Sequence, residues 1–97
     1  MDIRSTTAYL ENGKLIIELD RNDIKDTDGN LVDKDGIKVF AAFRNSSGIL
    51  TRVEIVQISD DFTGDCEIDN SIDFSSITVY IWDLDYKPFT DIIEVEL

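Results

Sequence analysis

The stretch of the chain best suited to chemistry is Asp26-Thr27-Asp28-Gly29-Asn30-Leu31-Val32-Asp33-Lys34-Asp35. Oxygen ligands at alternating positions around a glycine are what Ca²⁺ takes, and Asp26, Asp28, Asn30, Asp33 and Asp35 are the candidates. An EF-hand loop needs Gly at its sixth position and Glu at its twelfth. Counted from Asp26, those positions hold Leu31 and Ile37, and Lys34 interrupts the acids. The expectation is a solvated loop of Asx turns, with calcium the lesser alternative and no cofactor.

A second group is aromatic. Tyr80, Trp82 and Tyr86 are spaced so that their rings could line one sheet face and stack on sugar rings. A Trp on a central strand of a sandwich is expected in the core, and the platform is the alternative. Phe40 and Phe43 are expected in the core.

Other reactive groups are few. The chain has one cysteine, Cys66, and no histidine. That excludes an intramolecular disulfide, Cys/His zinc sites and any triad built on an imidazole. Acidic neighbours in Gly64-Asp65-Cys66-Glu67 should raise the thiol pKa, which disfavours a nucleophile and fits a half-buried strand position. Paired carboxylates recur at Asp60-Asp61, Asp83 with Asp85, and Glu94 with Glu96. Glycosidase chemistry needs two acids facing each other across a cleft. Strand faces and turns account for these pairs instead, so no enzyme is expected.

The elements that must hold these groups are strands. With 42% hydrophobic residues the chain is globular, and 97 residues make one domain, 1–97. The net charge of -12 opposes binding to nucleic-acid backbones and anionic membranes. No basic segment followed by an apolar one succeeds Met1, so no secretory signal is expected within these residues.

Thr6–Leu10 reads as an edge strand, turned by Asn12-Gly13 into Lys14–Asp20, where Leu15, Ile17 and Leu19 point inward. Residues 21–36 form a long Asp-rich loop with a helical turn at most. Ile37–Arg44 is a third strand, and Asn45-Ser46-Ser47-Gly48 turns it into Ile49–Ile58. In that fourth strand Thr51, Val53 and Ile55 read as the inward set. Val56 and Ile58 then take the opposite parity, which predicts a bulge near Ile55-Val56. A short strand covers Asp65–Asp69. Ile77–Asp83 is the most β-biased run, apolar on both faces, and is expected to be central and covered on both sides. Thr90–Leu97 closes the chain beyond the break at Pro88. Glu94 and Glu96, if outward, discourage pairing at that edge, so a monomer is expected. About seven strands at these spacings predict an all-β fold: a two-sheet antiparallel β-sandwich, immunoglobulin-like or fibronectin-III-like.

Val39-Phe40-Ala41-Ala42-Phe43-Arg44-Asn45-Ser46-Ser47-Gly48-Ile49-Leu50 resembles a pattern in small β-sandwich modules of secreted multidomain proteins from clostridia and related bacteria. There, a strand closing on an aromatic leads to a polar turn with Gly, an aliphatic pair and a Val-rich strand. The second half of the pattern is a strand ending in Trp-Asp with Lys-Pro a few residues on. Val79-Tyr80-Ile81-Trp82-Asp83 and Lys87-Pro88-Phe89 are similar to it. The similarity spans Ile37 to Phe89; the Asp-rich loop at 21–36 lies outside it, and the Trp-Asp to Lys-Pro interval is short here. The resemblance implies a non-catalytic spacer or docking module of an extracellular or cell-surface protein. Its partners would be neighbouring domains of a larger chain; the residues themselves add two alternatives, polysaccharide binding on the Tyr80/Trp82/Tyr86 face and calcium-stabilised adhesion through the 26–35 loop.

Overall fold

Among the described residues, seven strands form where β-branched and aromatic residues alternate between Gly, Asx and Ser turns. They are β1 (Thr7–Glu11), β2 (Lys14–Glu18), β3 (Lys38–Arg44), β4 (Leu50–Val56), β5 (Thr63–Glu67), β6 (Ser76–Trp82) and β7 (Ile93–Val95). The computed structural model describes residues 6–20, 24–68, 74–90 and 92–95. One sheet has the order β1-β2-β5 and the other β4-β3-β6-β7, with every pairing antiparallel. The two layers make the all-β sandwich that the sequence predicts.

The period-two alternation sets which side chains go inside. Leu15 and Ile17 of β2, Val39, Ala41 and Phe43 of β3, and Ile77, Val79 and Ile81 of β6 are all buried in one cluster. Val56, Val95, Ile24, Ile37 and Phe62 close its margins. Burying such side chains is the main source of stability in a domain of this size. The β1–β2 hairpin turns at Asn12 and Gly13, both with positive φ (52° and 78°), the backbone of a primed two-residue turn. Residues 24–36 are tied down by Ile24, which is fully buried, and contain a single 3₁₀ turn at Lys34–Gly36.

Three expectations change. β6 is central in its sheet but only one of its faces meets the other layer; Thr78, Tyr80 and Trp82 lie on the outer face. Phe43 is fully buried, whereas Phe40 pairs with Tyr80 on that outer face and is half-exposed. In β4, Thr51, Val53 and Ile55 point outward, not inward, and only Val56 is buried. The irregularity in pairing falls between Phe43 and Arg44, opposite Leu50–Arg52, so no change of parity is needed near Ile55-Val56. The cause is common to all three. Where both parities of a strand are apolar, period two divides the residues into faces without saying which face is covered.

Candidate functional site

Rings gather on the outer face of the four-stranded sheet. The registers Phe40↔Tyr80 and Lys38↔Trp82 set Phe40, Tyr80 and Trp82 side by side on adjacent strands. Trp82 is the hub. Its ring centroid lies 5.3 Å from Phe40, 5.5 Å from Tyr80 and 6.2 Å from Tyr86, at interplanar angles of 59°, 55° and 79°. These separations are those of interacting aromatic pairs, and the tilts make a creased surface, not a flat one. The structure therefore brings together the three aromatics singled out by sequence, and adds Phe40. Trp82 is partly buried on this outer face, contrary to its expected position in the core between the layers.

Two cations border the rings. Arg44 donates from its two terminal nitrogens to Thr78 Oγ1 (3.3 Å) and Tyr80 Oη (3.4 Å). Thr78 is buried beneath it, only 6% exposed. Lys38 Nζ sits 4.5 Å from the centre of the Tyr86 ring and 3.3 Å from Tyr86 Oη, a cation–π contact with a hydrogen bond. Ion pairs among the described residues join Lys14 to Asp65, Lys34 to Asp60 and Arg52 to Glu54. Neither Lys38 nor Arg44 is in that set, although the chain has 21 acids to 9 bases. Both are held by neutral hydroxyls and keep donors for an incoming group, since a guanidinium has five N–H and an ammonium three.

Tyr86 reaches the rings through an unusual loop. After β6, Asp83 Oδ1 accepts from the N–H groups of Asp85 (2.8 Å) and Lys87 (2.9 Å). The Asp83 N–H donates to the Lys87 carbonyl and the Tyr86 N–H to the Asp83 carbonyl. This closes the turn and returns the chain so that Pro88 bridges to Trp82. The fourth residue of the loop must take a positive φ. Asp26–Asn30 and Asn45–Ile49 are closed by the same hydrogen bonds, and there the fourth residue is Gly29 or Gly48. In the 83–87 loop it is Tyr86, at φ 64° and 62% exposed. A bulky residue in this region costs on the order of 1 kcal/mol or more. The spacing that could have revealed it is present in the sequence: Asx at the first position of each loop, with Gly three residues on in two of them and Tyr in the third.

The calcium candidates are disposed differently. Asp26 Oδ1 accepts from the N–H groups of Asp28 and Asn30, and Asp33 Oδ1 from that of Asp35. These are Asx turns, and all five candidate residues are exposed. Among the described residues no three His, Cys, Asp or Glu groups come together as metal ligands. Of the carboxylate pairs, Asp60 bonds to Lys34 at 2.8 Å, Asp83 holds its own loop, and Glu94 is exposed; Glu96 lies outside the described residues. Cys66 is half-buried opposite Leu15. Burial first, and the Glu54 carboxylate second, push its thiol pKa up.

Compared with models of known protein families, with characterised proteins and with solved structures, the chain matches none of them.

Proposed function

We propose that the chain is a non-catalytic binding module whose ligand, a polysaccharide, lies across the Phe40/Tyr80/Trp82/Tyr86 face. The single observation that carries this reading is the placement of Trp82. A large ring sits on the uncovered face of a sheet, with three further rings around it and two donor-rich side chains at its margin. Sugars present apolar ring faces edged with hydroxyls, so they need both kinds of surface at once. The strand order, β1-β2-β5 against β4-β3-β6-β7, supports placing the module in the immunoglobulin-like or fibronectin-III-like class. Such a module suits an appendage of a larger secreted or surface-attached protein. The absence of histidine and the raised Cys66 pKa weigh against catalysis.

Affinity electrophoresis through gels cast with soluble polysaccharides tests this. Wild-type protein should be retarded by at least one of them, and W82A and Y86A should run unretarded while keeping the native fold. Absence of retardation across neutral and acidic polysaccharides would overturn the ligand reading and leave a spacer.

A further inference from the structure

We propose that β4 is a self-pairing edge: two copies of this chain join β4 to β4 antiparallel, extending the four-stranded sheet to eight strands. The expected monomer rested on the acids at the β7 edge, and β7 does carry the exposed Glu94. The remaining edges differ in how they are guarded. β7 has three residues, β5 carries Asp65 and Glu67, and β1 has five residues ending in Glu11. Among the described residues β4 is the longest edge strand, with seven residues, and contains neither Pro nor Lys. Its outward side chains Val53 and Ile55 are 49% and 67% exposed, beside the half-exposed Phe40. A long apolar edge of this kind is a template for pairing with another chain.

The sequence of β4 points to a second copy as the occupant. In Thr51-Arg52-Val53-Glu54-Ile55 a two-fold axis through Val53 sets Val53 against itself and Thr51 against Ile55 of the other copy. It also sets Arg52 against Glu54 of the other copy, twice. In the single chain Arg52 and Glu54 bond to each other on the inner side of the strand. Charges on the inner side of an edge strand normally oppose pairing. Here they are of opposite sign and related by the axis, so pairing exchanges one ion pair for two across the seam. Opposite charges directly across an antiparallel pair favour it, and like charges disfavour it. The axis stands perpendicular to the sheet, so both aromatic faces end on the same side. A polymeric ligand could then be held at two points, with a gain in avidity.

The test is sedimentation equilibrium up to millimolar chain, at about 150 mM salt, where the Debye length of roughly 8 Å limits repulsion between acidic copies. Wild-type protein should dimerise. R52E gives each strand two acids and E54R gives each strand two bases, so each alone should weaken dimerisation about tenfold. Mixed in equal amounts, the two variants should associate as tightly as wild type, because every cross-strand pair is again of opposite sign. V53K, which sets two ammonium groups on the axis while pointing to solvent, should abolish dimerisation without unfolding the chain. A wild type monomeric throughout overturns the proposal. So does a dimer unaffected by R52E and E54R, or a mixture that fails to recover.

Discussion

Two loops of the same backbone form use an aromatic residue where glycine would be easier, and they do opposite things with it. Ser59–Thr63 and Asp83–Lys87 are both closed by an N–H of the first residue on the carbonyl of the fifth, and an N–H of the fourth on the carbonyl of the first. Their fourth residues are Phe62 and Tyr86, at φ 60° and 64°. Phe62 is 8% exposed and belongs to the core, and its carbonyl accepts from the Leu19 N–H. Burial of the ring offsets its backbone strain. Tyr86 is 62% exposed and touches Trp82 and Lys38 at the margin of an open face. Little stability offsets its strain, so its position is better explained by what the ring presents. Strain of this kind collects at binding sites when the surrounding structure enforces it.

The comparison can be broken by removing each ring. Phe62→Gly should lower the unfolding free energy by about 3 kcal/mol, because the lost core packing exceeds the relief of strain. Urea titration would measure it. Tyr86→Gly should leave stability within about 1 kcal/mol of wild type, since relief of strain, loss of ring contacts and glycine's entropy nearly cancel. The same variant should lose retention in polysaccharide gels. Equal losses of stability in the two variants would mean that Tyr86 is a structural residue like Phe62.

The closing hydrogen bonds offer a second handle. Asp83→Ala removes a carboxylate that accepts two backbone N–H groups and should cost about 1–2 kcal/mol. It should weaken ligand binding as well, because Tyr86 loses its fixed position. Asn45→Ala, the equivalent change in the loop at the opposite end of β3 from Trp82 and Tyr86, should cost a similar amount of stability and weaken binding less than Asp83→Ala. An equal binding loss in both would show that retention follows stability and not the ring.

Much of the fold is legible in the sequence because turn chemistry and alternation agree. Asn12-Gly13 marks the first hairpin, and Leu15, Ile17, Val39, Phe43, Ile77, Val79 and Ile81 alternate at positions that prove buried. The site is less legible for a physical reason. Phe40, Trp82 and Val53 are as apolar as their inward neighbours, and local periodicity carries no information about whether a second layer covers a face. Tyr86 is hidden in another way: an Asx turn foretells the loop, but the left-handed position of its fourth residue emerges only when the 83–87 loop is aligned with the two loops that carry Gly29 and Gly48 there. The acids were legible as turns, and Asp26, Asp33 and Asp83 each hold loop backbone as Asx residues do.

The smallest predicted effect concerns the opposite layer. The raised Cys66 pKa means that folding favours the protonated thiol. Its contribution is present in full below the unfolded thiol's pKa and is lost as pH rises through the folded one. Thermal melts should therefore show a shallow decline on the alkaline side, softened by solvent because the group is only partly buried. C66S should make that decline shallower, leaving the part due to Lys34, whose pKa is raised by its hydrogen bond to Asp60, and to Tyr9, raised by desolvation and by Glu18, and should leave retention in polysaccharide gels unchanged.

Trp82 is the chain's single tryptophan, so its fluorescence reports directly on the face in question. The decisive measurement is quenching by acrylamide, a neutral probe that the protein's negative charge does not repel, with and without a retained polysaccharide. Efficient quenching in the free protein that falls when the polysaccharide is added is the result predicted. A blue-shifted tryptophan that resists quenching in the free protein, or quenching unchanged at saturating polysaccharide, would contradict the account.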